Sequence, residues 1–345
     1  MHSVYPLTAE RILVIQLRQV GDVLLTTPAV KVLREACPNA HLSYLTEEGP
    51  AKLLQGNPHI DELLIRDRHG GIFQDIKLIR RLQKEKFDLL IDFFCNPRSG
   101  WIALFSGATD RIAAYHAGRS WYYTQTPNIP SGIGYAPEDR LALLRAVGIK
   151  GELHAPVLMV PESARRYIEN FITKKGILKK NRRAGGPLVT IDPTSRRQAK
   201  RWIPERYARL ADLLTEKHDA RVMFLWGPGE KEMLQEFLQC GTHQHLLAPP
   251  TDLMQLAALI EESDLHIGNC SAPRHIAVAV GTPSLTVMGP TKPENWTYPD
   301  SKHQVVQGDV PCLGCQKTVC GSHDCMKVLT VQTVFEAAEP LIGKK

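Results

Sequence analysis

Several clusters in this chain of 345 residues combine side-chain types and spacings that can do chemistry. The first is Arg18–Asp22 (RQVGD), which places a carboxylate, Asp22, directly after the apolar run Arg11–Leu17 and at the start of a helical pattern. A lone glycine in that turn fits neither a dinucleotide fingerprint nor a P-loop. Asp22 can cap the helix by accepting backbone N–H bonds, or it can act as a general base kept ionised by the helix N-terminus. The second cluster, Pro193–Pro204 (PTSRRQAKRWIP), gathers Thr194, Ser195, Arg196, Arg197, Lys200 and Arg201. Hydroxyl donors beside that many cations suit a diphosphate, although a solvated basic loop has the same composition.

The third cluster, Gly268–His275 (GNCSAPRH), leads into a helix through Cys270, Ser271, Ala272 and Pro273, and free N–H groups at such a start bind anions. His275 in its first turn is open to a structural or an anion-facing role. In the fourth, Trp226–Glu230 (WGPGE), Gly227 permits close backbone approach, and Trp226 offers a flat face to a nucleotide base or a side chain to the core. The last is C-x2-C-x4-C-x4-C: Cys312, Cys315, Cys320 and Cys325. The first pair matches half of a zinc site and the second does not, so zinc competes here with reduced, packed thiols.

The elements that must position these clusters alternate. Strand-like runs at Arg11–Leu17, His41–Leu45, Glu62–Ile65, Phe87–Phe94 and Arg111–Tyr115 are separated by helical patterns, among them Val23–Glu35 and Asp75–Lys86. Continuous apolar strands in such alternation indicate a parallel sheet. His116–Ala136 is rich in Gly, Pro, Ser and Tyr and reads as a long functional or mobile loop. A second series, beginning at Pro187, repeats the alternation through Leu188–Asp192, Arg221–Trp226, Leu265–Gly268 and Ser284–Met288. The expectation is an α/β chain of two tandem Rossmann-like domains, residues 1–173 and 187–345, joined by a basic linker over 174–186, with ligands in a central cleft at the strand ends. A Cys-rich segment at 312–325 and a terminal helix close the second domain.

Composition agrees with that size. A single core rarely grows past roughly 250–300 residues, and 43% hydrophobic with 23% charged content is ordinary for a globular protein. No apolar run approaches the ~20 residues that span a bilayer, and the first residues lack a signal-peptide pattern, which points to the cytoplasm. A net charge of +6 suits an anionic ligand or an acidic membrane surface. Nucleic acid is disfavoured as a partner, because the basic residues sit in a linker and one loop without interleaved aromatics.

In order and placement, RILVIQLRQVGDVLLTTPAVKVLR, KRWIPERYARLADLL, SDLHIGNCSAPRHIAVAVGTPSLTVMGPT with Trp296 and Pro299 after it, and the cluster ending in Cys325-Met326 resemble glycosyltransferase family 9, the ADP-heptose:lipopolysaccharide heptosyltransferases. The resemblance implies a GT-B fold, with acceptor on the N-terminal domain and ADP-sugar donor on the C-terminal one. It implies Asp22 as base for inverting transfer with no cofactor or metal, and Lys200 with Thr194 and Ser195 on the leaving diphosphate. Ser271–His275 would hold the same phosphates, and Trp226 and Gly227 would lie near the adenosine. The acceptor, the lipopolysaccharide inner core, would meet Arg18, Asn96, Arg98 and Arg119, and it allows peripheral contact with the inner membrane surface. Where the family usually reads Asp-Ser-Gly-Pro, this chain has Cys270-Ser271-Ala272-Pro273. A thiol is no carboxylate acceptor, which leaves open another nucleotide sugar or a noncatalytic nucleotide-sugar or glycolipid binder.

Overall fold

The computed structural model describes residues 9–130, 132, 134–177 and 186–343, and the chain divides into two compact units, Met1–Met159 and Val160–Lys345. In the first, strands β1 (Arg11–Ile15), β2 (His41–Glu47), β3 (Glu62–Arg66), β4 (Leu89–Asp92) and β5 (Asp110–Ala113) form a parallel sheet in the order β3-β2-β1-β4-β5. Central β1 is buried on both faces, Ile12 and Val14 packing into one core and Leu13 and Ile15 into another. That two-sided burial is why its sequence is a continuous apolar run rather than an alternating one. The helical stretch after β1 is broken into Val20–Leu24 and Thr27–Ala36, with Pro28 inside the first turn of the second piece, where proline is tolerated.

A helix that the sequence reading leaves unassigned, Pro97–Phe105, follows β4. Asn96 caps it, its Oδ1 accepting from Arg98 N and Ser99 N at 2.9 and 3.0 Å. Gly100, which weakens the helical pattern, is required: a Cβ there would lie 2.4 Å from the Tyr122 ring. The long stretch 116–136 is tied down by Tyr123, whose hydroxyl donates to Asp92 Oδ2 at 2.7 Å, and by a bridge between Ile112 and Gln125; its residues 131 and 133 lie outside the described set.

The second unit holds β6 (Leu188–Asp192), β7 (Arg221–Phe224), β8 (Leu246–Leu247), β9 (Leu265–Asn269), β10 (Ser284–Val287) and β11 (His303–Val306), all parallel in the order β11-β10-β9-β6-β7-β8. Gly268 lets β9 lie close to β6, since a Cβ there would sit 2.9 Å from Asp192 O. The division between units falls at 159/160, not at the 173 and 187 expected from sequence. The cause is the helix Glu162–Lys174, whose buried Ala164, Ile168 and Ile172 form a stripe on a helix that packs against helix Leu253–Glu262 of the second unit. Arg165 forks onto Glu261 at 2.7 and 2.8 Å on the same side. Residues 178–185 of the expected basic linker lie outside the described set.

Candidate active site

In the first unit, Asp22 sits three residues into helix Val20–Leu24, half-buried, with Oδ2 accepting from Gln19 N at 3.4 Å. So long a bond is weak, and among the described residues most of the carboxylate's hydrogen-bonding capacity stays uncommitted. Sequence reasoning missed its neighbour Arg140, on the helix Pro137–Ala146. Burial pushes the Arg140 guanidinium pKa down, and the charge of Asp22 is the largest influence pushing it back up. No local motif marks this residue, because the sequence separation of the two is bridged only by the fold.

A cavity of about 450 Å³ in this unit is lined by Arg18, Glu47, Phe94, Asn96, Arg98 and Trp101, among others. Three of the four expected acceptor-side residues therefore come together. Arg119 does not join them: its Nη1 donates to Cys95 O at 2.7 Å, bracing the loop behind the cavity. Cys95 itself adopts the left-handed region at φ 43°, a conformation held by Asp92 Oδ1, which accepts from Phe94 N and Cys95 N at 2.9 and 3.0 Å. Strained non-glycine residues of this kind concentrate at ligand sites.

In the second unit, the basic loop and the Gly268–His275 turn form one structure. Thr194 and Ser195 are buried, Arg196 is exposed, and Lys200 is half-buried. Lys200 Nζ donates to Cys270 O and Cys270 Sγ, both at 3.4 Å, and lies 5.8 Å from the centre of the Trp296 ring. Cys270 thus occupies the ground beside the lysine, and Ser271 and Ala272 open the helix Ala272–Ala279 with Pro273 in its first turn. His275 is buried, 6.0 Å from Trp296 ring to ring. Asn269, with no exposed surface, splices the two loops: its Oδ1 accepts from Trp202 N at 2.9 Å and Tyr207 Oη at 3.0 Å, and its Nδ2 donates to Thr194 O at 3.3 Å.

Two further acidic groups organise this region and were not singled out from sequence. Asp192, the last residue of β6, is buried; its Oδ1 accepts from Thr194 N at 3.3 Å and its Oδ2 from Ser271 Oγ at 2.5 Å. Burial raises its pKa to about 6, against the lowering effect of those donors. Glu230 Oε2 accepts from Thr194 Oγ1 at 2.9 Å and Gly227 N at 2.7 Å, joining the WGPGE turn to the basic loop. Trp226 is half-buried against the core, its Nε1 donating to Ala248 O at 2.8 Å, and Lys231 lies 5.7 Å from its ring centre. The available signal was the Asp-x-Thr sequence at 192–194, an Asx-turn pattern at a strand end.

The Cys-rich segment packs under the basic loop. Ala199 N donates to Thr318 O at 3.1 Å, and His323 Nε2 donates to Ala199 O at 3.1 Å. All four thiols are free, and among the described residues no group of three His, Cys, Asp or Glu side chains is arranged to hold a metal ion.

Two parallel Rossmann-like sheets in tandem, each with its loops of interest following the strands, define the GT-B fold. The model of glycosyltransferase family 9 (heptosyltransferase) matches residues 76–325, and the chain belongs to that family. It is 27% identical over 288 residues to lipopolysaccharide heptosyltransferase 3 of Escherichia coli, covering 80% of this chain and 82% of the relative. A family 9 glycosyl transferase from Veillonella parvula superposes with a TM-score of 0.84 at 25% identity, over 100% of this chain and 99% of that one. The E. coli ADP-heptose lps heptosyltransferase II does so at 0.78 and 22%, covering 96% and 98%.

Proposed function

We propose that this protein transfers heptose from ADP-heptose to a hydroxyl of the lipopolysaccharide inner core, with inversion at the anomeric carbon and without a metal. Asp22 takes the proton of the acceptor hydroxyl as its oxygen attacks the anomeric carbon. The bond from that carbon to the β-phosphate oxygen breaks, and ADP leaves with the electron pair. Lys200, Thr194, Ser195 and the helix start at Ser271 receive the charge that develops on the diphosphate, with His275 behind them. Donors fixed before the reaction stabilise such charge by roughly 3–4 kcal/mol each when well placed. The guanidinium of Arg140 sets a positive charge near the Asp22 carboxylate, and Arg18, Asn96 and Arg98 receive the acceptor. Trp226 and Gly227 lie on the adenosine side.

The observation that carries this reading is the half-buried Lys200, held over Trp296 on the same loop as buried Thr194 and Ser195 in a chain of this family. Mass-spectrometric detection of a heptose added to heptose-deficient lipopolysaccharide from ADP-heptose, unchanged by chelator, is the expected result. Absence of transfer with every acceptor core tried removes the reading, and loss of rate on chelation removes its metal-free part. One observation favours a second reading, a different nucleotide sugar: Cys270 Sγ occupies the Lys200 ammonium at 3.4 Å and offers no carboxylate to sugar hydroxyls. Calorimetry with several ADP-sugars decides between them, since that reading requires another sugar to bind more tightly than heptose.

A further inference from the structure

The helix Gly71–Glu85 is amphipathic in an unusual way. Its buried Leu82 faces the core, yet Ile72, Phe73 and Ile76 are 69%, 83% and 40% exposed. Lys77, Arg80 and Lys84 follow Phe73 at spacings of four, seven and eleven, which places them in line with it on the outer face. The acidic groups of this helix are turned elsewhere. Asp75 is forked by the buried Arg66 at 2.7 and 3.0 Å, and Glu85 pairs with Arg11. Among the described residues no carboxylate pairs with Lys77, Arg80 or Lys84. The Arg66 fork also fixes the first turns of the helix, so the exposed side chains are presented on a rigid support.

The neighbouring helix Pro97–Phe105 extends the face, Gln83 Nε2 donating to Phe105 O at 2.9 Å. Trp101 and Phe105 stack at 5.5 Å, Trp121 meets Trp101 edge-on at 5.2 Å, and these three rings are 45%, 48% and 55% exposed. We infer that this face of the first unit docks on an anionic lipid bilayer, with Ile72, Phe73 and Ile76 in the headgroup boundary and Lys77, Arg80 and Lys84 on the headgroups. Exposed apolar tips beside an unpaired basic row are the composition of an interfacial helix, and indole rings favour the same depth. A second copy of the chain is a poor occupant, because a two-fold contact would set the basic row against itself. The inference deepens the reading of a lipid-borne acceptor and rests on it for its purpose. Vesicle binding is measured without sugar transfer, so either can fail alone.

The test is cosedimentation of the full chain with phosphatidylglycerol–phosphatidylethanolamine vesicles and with phosphatidylcholine vesicles. Wild type partitions onto the anionic vesicles and releases in high salt. Ile72→Ser with Phe73→Ser lowers the partition coefficient about tenfold or more, and a second variant that combines Lys77→Gln, Arg80→Gln and Lys84→Gln lowers it by roughly fivefold per charge removed. Both variants keep the wild-type Tm, the changed side chains being exposed. The inference is overturned if wild type stays in the supernatant with anionic vesicles, or if both variants partition like wild type. It is equally overturned if sedimentation equilibrium shows a wild-type dimer that Phe73→Ser abolishes.

Discussion

Asp22 and Asp192 each follow the central run of a parallel sheet, and their surroundings differ. Asp192 is buried, each of its oxygens accepts a hydrogen bond, from Thr194 N and from Ser271 Oγ, and its proton affinity is raised. Asp22 is half-buried, accepts one long bond from Gln19, and faces a buried guanidinium. A carboxylate whose oxygens are all engaged holds a loop in place. One that keeps lone pairs free can take up a proton during a reaction.

The contrast breaks first at Asp22. Asp22→Asn should lower kcat by about 10²–10⁴-fold with Tm unchanged, as measured by initial rates and thermal melts; a wild-type rate would remove it as the base. Lys200→Met comes next, with a loss of about 10²–10³-fold in kcat/KM that falls mainly on kcat, read from steady-state kinetics on ADP-heptose. A loss confined to KM would make the lysine a donor anchor rather than a stabiliser of the leaving group.

Asp192 gives a smaller effect, read in stability. Its folded pKa of about 6 lies above the unfolded 3.8, so the folded protein binds the extra proton and loses stability as pH rises through that window. The cost at neutral pH is on the order of 3 kcal/mol. Asp192→Asn removes it, so the Tm difference between variant and wild type should move in the variant's favour between pH 4 and pH 7. A difference independent of pH would show that Asp192 does not titrate there. His266 and His303, whose pKa values burial lowers to about 3 and about 4, have the opposite dependence and lose stability as pH falls, but both proteins carry them and their contribution cancels. Smallest is Arg98→Ala, expected to raise the acceptor KM by about tenfold with kcat kept, as for one exposed charge-assisted hydrogen bond.

Much of the fold was legible because β1 and β4 carry apolar residues on both faces, and a strand of that kind writes its position as an unbroken run. The helix Pro97–Phe105 was not, since Pro, Arg, Ser and Gly at its start look like a turn until Tyr122 explains the glycine. The unit boundary was misplaced for a related reason: the stripe Ala164, Ile168, Ile172 announces a buried helix without saying against which partner. At the candidate site, loops that follow strands could be located, whereas Arg140 and Glu230 gain their meaning from contacts that sequence spacing does not encode.

Asn269 has a consequence for anyone who would exchange the loops it joins. Because one side chain serves Trp202, Tyr207 and Thr194 together, the segment 193–204 and the turn at 268–275 cannot be grafted separately. A transplant of the first alone would leave Asn269 facing a foreign backbone and strand buried polar groups, at a cost of ~1–3 kcal/mol apiece. The two loops are a single cassette, and a change in one has to be matched in the other.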